Sequence, residues 1–248
     1  MQLPIALAEL PTGLLPQAAP STWEAAFAAL PDASEFDAAA PLQALNCGAG
    51  RGGLSLLLRQ GGYQVESLDL HPEHFQLADM RCTYADLYAP VGYPSGSFAV
   101  VLAVEVIEHL ENPWGFLREA CRVLRDDGVL VVTSPNVVSW PSRFHFALNG
   151  LLPYFRIESF RGCYHVSPIF PWAVERCLST TQAYLETVSY SRNDWPQSTD
   201  VPRFDDGKGW RRALLDRLPR DHRFGEITVY RIRKSQQAAT VRIGTHYA

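Results

Sequence analysis

The chain has 248 residues, 47% apolar and 19% charged, enough to bury a full core. Its formal net charge of −4 provides no global basic field to recruit nucleic acid. The five cysteines (Cys47, Cys82, Cys121, Cys163 and Cys177) are odd in number and widely spaced, with no CxxC pair, so reduced thiols in a cytoplasmic protein are expected.

Residues 1–40 are rich in Ala and Pro and lack the basic region of a signal peptide. They read as an appendage with a helix over STWEAAFAAL, capped by Ser21 or Thr22. From Leu42 the rhythm becomes strand, turn, helix. LQALN is strand-like, GGLSLLLRQGG is a helix that Gly61 and Gly62 end, and YQVESLDL is the next strand. HPEHFQLADMR predicts a helix with Pro72 in its first turn, and TYADLY is short and extended. The apolar run SFAVVLAVEVI predicts a strand buried on both faces, NPWGFLREACRVLR an amphipathic helix, and GVLVVTSPN another buried strand after a DDG turn.

Beyond Asn136 the pattern loosens. Residues 138–165 are aromatic and partly helical, and SPIFPWAVERCL suggests a helix after a proline. AYLETVSYSR and FGEITVYRIRK alternate like strands that close the sheet. Between them lie a polar loop and a helix over WRRALLDRL, and a tail spans 236–248. Arg211 and Arg212, and the RIRK of 231–234, read as a solvated helix face and a strand end. No apolar run approaches the ~20 residues of a spanning helix.

Alternating strands and helices give a parallel, doubly wound α/β sheet with its ligand at the C-terminal strand ends. Gly48, Gly50 and Gly53 spell GxGxxG, a turn that approaches an anion closely. That anion is the pyrophosphate of a dinucleotide or the carboxylate of a methionine-bearing nucleoside. Asp69 ends the second strand, where a carboxylate accepts ribose hydroxyls in either case. Asp86, with the Leu87 N–H beside it, is placed to meet an adenine amino group.

The downstream series decides between them. SFAVVLAVEVIEHL, then NPWGFLREACRVLRDDGVLVVTSPN, resembles the class I S-adenosylmethionine-dependent methyltransferases, in their small-molecule, ubiquinone-pathway-like branch. The resemblance rests on Glu105, Glu108, His109, Glu119, Arg122, Leu124, Gly128, Pro135 and Asn136. It covers residues 42–136 well and 164–192 weakly. It implies a Rossmann-like, mostly parallel seven-stranded sheet with helices on both faces. The domain spans 41–235, with 138–165 and 193–222 as insertions or a lid.

The resemblance implies S-adenosyl-L-methionine as cofactor, held by Asn46, Cys47, Gly48, Gly50, Asp69, Leu70, Asp86, Leu87 and Val104. It also implies a small-molecule acceptor, methylated at oxygen, with His109 and His165 as candidate bases. Three positions depart from the family; one is Ala99, where Asp is usual after Phe98, and it reads as structural. Ala44 stands where an acid is usual, and Asn46 where glycine is usual, read here as a residue that tolerates positive φ. These departures motivate an alternative, a non-catalytic methyltransferase-like regulatory or scaffold protein. A nicotinamide-dependent oxidoreductase is the third reading.

The spacing Glu105-x-x-Glu108-His109, with His165 later, resembles the metal-binding segment of ubiquinone-pathway O-methyltransferases and small-RNA 2′-O-methyltransferases. The same string occurs in methyltransferases that use no metal, and no metal is assigned from sequence. His145, among aromatics, reads as a packing residue. Trp140, Phe144, Phe146, Tyr154, Phe155, Phe160 and Tyr164 read as a partial lid over the acceptor.

Overall fold

A computed structural model of the chain describes residues 1–16, 19–36, 41–191 and 225–235. The strands are β1 (Gln43–Cys47), β2 (Gln64–Asp69), β3 (Cys82–Tyr84), β4 (Phe98–Ala103), β5 (Leu124–Pro135), β6 (Ala183–Tyr190) and β7 (Ile227–Lys234). The helices are α1 (Pro20–Ala28), α2 (Gly53–Gln60), α3 (Pro113–Val123), α4 (Trp140–Asn149), α5 (Ile157–Cys163) and α6 (Pro171–Leu178). The strands form one seven-stranded sheet in the order β3-β2-β1-β4-β5-β7-β6. The pairs from β3 to β5 are parallel, and β7 runs antiparallel to both β5 and β6. This is the expected Rossmann-like architecture with one reversed strand. Among the described residues, no helix is long and apolar enough to cross a membrane.

Side-chain alternation divides the core between the sheet's two faces. Leu45, Cys47, Val101 and Ala103 point to the side covered by Phe116, Leu117 and Cys121 of α3 and Val174 of α6. Ala44, Val100 and Leu102 point to the other side, under Leu57 and Leu58 of α2 and Trp23 and Phe27 of α1. Each fully buried leucine contributes about 1.5–3 kcal/mol. Helix α3 starts where Asn112 Oδ1 accepts the Gly115 N–H at 2.9 Å, with Pro113 at the first helical position.

The structure departs from three expectations. No helix forms over 71–81. A single 3₁₀ turn covers Pro72–His74, after which the Gln76 N–H donates to Arg51 O at 3.1 Å. Phe75 and Leu77 lie against Gly52, so this segment is drawn onto the glycine turn instead of coiling. Ser21 and Thr22 do not cap α1: both are buried within it, and Pro20 begins the helix after Ala19. Arg231 and Arg233 are not a solvated strand end. Both grip Glu186 of β6 and Glu35, and so tie the N-terminal segment to the far edge of the sheet. The expected helix over WRRALLDRL, Arg211 and Arg212, the 193–222 insertion and the tail lie outside the described residues.

Candidate active site

The glycine turn leaves β1 and is stitched to the end of β2. The Gly48 and Ala49 N–H groups both donate to Leu68 O at 2.9 Å. The Gly50 N–H donates to Asp69 Oδ2 at 2.7 Å, and the His71 N–H donates to Asp69 Oδ1 at 2.8 Å. Gly48 has φ 72°, and a Cβ there would lie 2.4 Å from Val106 Cγ2, so no other residue fits without displacing Val106. In front of Gly50 the space is open.

Leu70 follows Asp69 with half its surface exposed. Asp86 accepts the Tyr88 N–H on Oδ1 at 3.0 Å, and Leu87 is half-buried beside it. β1 registers Cys47 against Leu68, and β2 registers Asp69 against Tyr84, so the ends of β1, β2 and β3 form one rim.

Three residues expected to hold the methyl donor are buried and not on the surface of the site. Asn46 and Cys47 belong to β1 and are fully buried, and Val104 is nearly so. Asn46 does not have positive φ, so that reading is corrected. Its Nδ2 donates to Ser55 Oγ of α2 at 2.9 Å, and Ser55 Oγ meets Ser67 Oγ of β2 at 2.8 Å. Asn46 therefore sits in a buried polar link between the first two strands and the helix after the turn. Burial pushes the Cys47 thiol up to about 12, so it stays a neutral packing group. Ala44 is wholly buried among apolar side chains.

The EVIEH string lies at the end of β4. Glu105 has φ 54°, outside the region usual for a side chain of its size. Thr133 of β5 holds it there: the Glu105 N–H donates to Thr133 Oγ1 at 2.9 Å, and that hydroxyl donates to Glu105 Oε1 at 2.7 Å. Burial and the neighbouring Glu226 carboxylate raise Glu105 to about 7, against the opposing Thr133 hydrogen bond. Asn136 brings Glu226 close, because its N–H donates to Glu226 O at 2.8 Å and its Nδ2 to Gly225 O at 2.8 Å.

Glu108 is fully buried, and neither carboxylate oxygen has a hydrogen-bond partner among the described residues. Burial, then the charge of Glu105, holds its pKa well above the usual carboxylate range. His109 and His165 stand beside it, with ring centroids 4.8 Å apart at 71°. One ligand atom from each of the three residues falls within 4.8 Å of the others. The main chain builds this cluster. Val166 and Ser167 N–H groups donate to Glu108 O at 2.9 and 3.0 Å, and Ser167 Oγ donates to Leu110 O at 2.6 Å. These bonds carry His165 back onto a segment 56 residues earlier in the chain.

His165 Nδ1 lies 3.0 Å from Tyr154 O. A carbonyl only accepts, so Nδ1 carries a proton. Burial keeps His109 below its usual pKa and so neutral near pH 7. A buried carboxylate without hydrogen-bond donors among the described residues, beside two imidazoles, has the chemistry of a divalent-cation site, and these residues fit one. Of the four residues in the sequence pattern, Glu105 is the one turned away.

Thr133 and Glu226 are not singled out by the sequence, and Tyr154 only as part of a lid. The Tyr154 hydroxyl donates to Glu226, while its carbonyl holds His165. Apart from that lid, their only sequence signal is the T-x-P-N ending of β5. Glu119 and Arg122 of the resemblance are structural: Glu119 accepts the Val91 N–H at 2.9 Å and pairs with Arg122 at 2.7 Å. His145 is buried, with Nδ1 2.7 Å from Leu151 O and Nε2 2.6 Å from Arg156 Nη2, so it packs the α4–α5 connection as expected. Of the expected lid, Phe146, Phe160 and Tyr164 are exposed.

Residues 45–132 match the family model described as a methyltransferase domain. The chain is 26% identical over 195 residues to a demethylmenaquinone methyltransferase of Tropheryma whipplei, covering 76% of this chain and 73% of the relative. It is 31% identical over 106 residues to a ubiquinone biosynthesis O-methyltransferase of Parvibaculum lavamentivorans, covering 38% of this chain and 41% of the relative. In fold it is similar to a SAM-dependent methyltransferase from Archaeoglobus fulgidus, with a TM-score of 0.55 at 15% identity over 78% of this chain and 86% of that one.

Proposed function

Because the chain is a class I S-adenosylmethionine-dependent methyltransferase, we propose that it methylates an oxygen of a small-molecule acceptor, with His165 as base. The observation that carries this reading is the His165 imidazole, oriented through its Nδ1–H by Tyr154 O and set beside His109 and Glu108. The demethylmenaquinone and ubiquinone-biosynthesis relatives support a quinone-type small molecule, and the second is named an O-methyltransferase. The non-catalytic alternative is not favoured.

On the donor side, Gly48 and Gly50 let the main chain approach the methionine carboxylate, and Asp69 accepts the ribose hydroxyls. Leu70 and Leu87 flank the adenine, and Asp86 accepts from its amino group. Asn46, Cys47 and Val104 support the site from beneath. When bound, S-adenosylmethionine supplies an electrophilic methyl on sulfur. The residues must hold the acceptor oxygen in line with that methyl, and positioning of this kind is worth about 7–11 kcal/mol in favourable cases. His165 Nε2 takes the hydroxyl proton as the oxygen gains the methyl, and neutral His109 packs against it.

The Glu108 carboxylate, with no hydrogen-bond partner among the described residues, favours a second reading in place of the base role, since one Nε2 lone pair cannot both take a proton and bind a cation. Glu108, His109 and His165 would hold a divalent cation, which supplies Lewis acidity to an acceptor hydroxyl. Titration calorimetry with S-adenosylhomocysteine tests the donor site, and absence of binding at millimolar concentration overturns the function. Activity after exhaustive chelation tests the cation, and full retention removes it.

A further inference from the structure

A cavity of about 390 Å³ lies at the C-terminal edge of β5 and β6, between α4 and the start of α6. That volume falls within the ~300–1,000 Å³ usual for small-molecule sites. Val138, Phe146, Leu152, Phe170, Trp172 and Val188 make it apolar, and among the described residues Arg143 is the one charged group lining it. Val137 and Val138 directly follow the rim residue Asn136, and Tyr190 of β6 shares the Thr228 register with Ser134 of β5. The cavity therefore opens on the same sheet edge as the glycine turn. Leu152 lies just before Tyr154, whose carbonyl orients His165.

Arg143 is exposed, and its guanidinium stacks on the Trp140 ring at 5.0 Å. Stacking fixes the plane of the guanidinium fork without using up its charge. No carboxylate pairs with it among the described residues, and none lines the cavity. An apolar chamber whose single charge among the described residues is a stacked guanidinium matches a molecule that is apolar along its body and anionic at one point.

We propose that this cavity receives the acceptor, and that the acceptor is an apolar molecule bearing an anionic group which Arg143 reads. The proposal rests on the methyltransferase reading for the word acceptor, while the cavity's preference for amphiphilic acids stands apart from it. Arg143 acts as a specificity determinant through one charge-assisted, two-point contact.

Calorimetric titration of the full chain with octanoate and with octan-1-ol tests the assignment, since the two probes share a chain and differ in charge. The wild type binds octanoate about tenfold or more tighter than octanol. Arg143→Gln removes that gap by weakening octanoate alone. Arg176→Gln, which loses a guanidinium that stacks on Trp172 but does not line the cavity, keeps it. Val188→Phe fills the chamber and weakens both probes about tenfold or more. Equal affinities in the wild type, a gap that survives Arg143→Gln, a gap lost equally in Arg176→Gln, or unchanged octanoate binding in Val188→Phe each overturn the proposal. Binding of S-adenosylhomocysteine by the same variants reports folding and the donor site separately. Its absence throughout sinks the methyltransferase reading while leaving the octanoate comparison intact.

Discussion

The Asp69 carboxylate accepts the Gly50 N–H at 2.7 Å, across 19 residues of chain. One acidic side chain thus holds the glycine turn and, on its other oxygen, the segment after β2 through His71. In the proposed site it must also accept ribose hydroxyls, using lone pairs that these two contacts leave open. Asp69→Asn keeps the shape and removes the charge. Hydrogen bonds to charged groups are worth about 1.5–3 kcal/mol, so S-adenosylhomocysteine should bind about ten- to a hundredfold more weakly. Titration calorimetry reads this directly, and unchanged affinity would remove Asp69 from the donor site.

Ala44 stands where the resembled family carries an acid, and restoring that acid looks like a route to tighter donor binding. The packing argues against it. Ala44 is fully buried between Val65 and Val100 on the strands beside it, within the apolar cluster under α1 and α2. A carboxylate there is buried without a donor. Ala44→Asp should cost on the order of 3–5 kcal/mol of stability with no gain in donor affinity. Chemical denaturation and donor-product titration of the variant check both halves.

His165 supplies the base in the proposed reaction. His165→Gln keeps a hydrogen-bonding side chain near Tyr154 O but removes the basic Nε2. Turnover should fall by about 10²–10⁴-fold, the range of general base catalysis, while donor-product affinity stays within about twofold. Single-turnover methyl transfer and calorimetry measured side by side separate the two quantities. A loss confined to donor binding would contradict the assignment.

Glu105 titrates at about 7 in the folded chain, raised chiefly by burial, against an ordinary value of 4.5. The native state therefore holds this proton more tightly than the unfolded state does. Its contribution to stability is complete below pH 4.5 and is lost as pH rises through 7. Melting temperature should decline across that window, and Glu105→Gln should flatten the decline. Thermal melts from pH 4.5 to 8 in the presence of a chelator test this. An unchanged slope in the variant would place the titration elsewhere.

Much of the sheet was legible because buried parallel strands leave near-continuous apolar runs. Phe98–Ala103 is buried at every position and was visible as a strand from the run alone. The glycine turn was legible for a similar reason, since positive φ and close packing at Gly48 exclude other residues. The segment 71–81 was misread because its local spacing suits a helix, while its backbone and its Phe75 and Leu77 side chains are claimed by the turn across from it. Asn46 was misread as a backbone specialist because its partners, Ser55 and Ser67, come from two later elements.

The α/β architecture, the glycine turn and the acid at the end of β2 are written locally in the chain, because they depend on periodicity, φ preference and short spacing. Tertiary structure alone decided which groups of the EVIEH string meet His165. Glu105 is turned aside by Thr133 from another strand, Glu108 is sealed from solvent, and the carbonyl of Glu108 reels in Val166 and Ser167. These effects depend on desolvation and on hydrogen bonds between distant segments, and neither leaves a local pattern in a chain of residues.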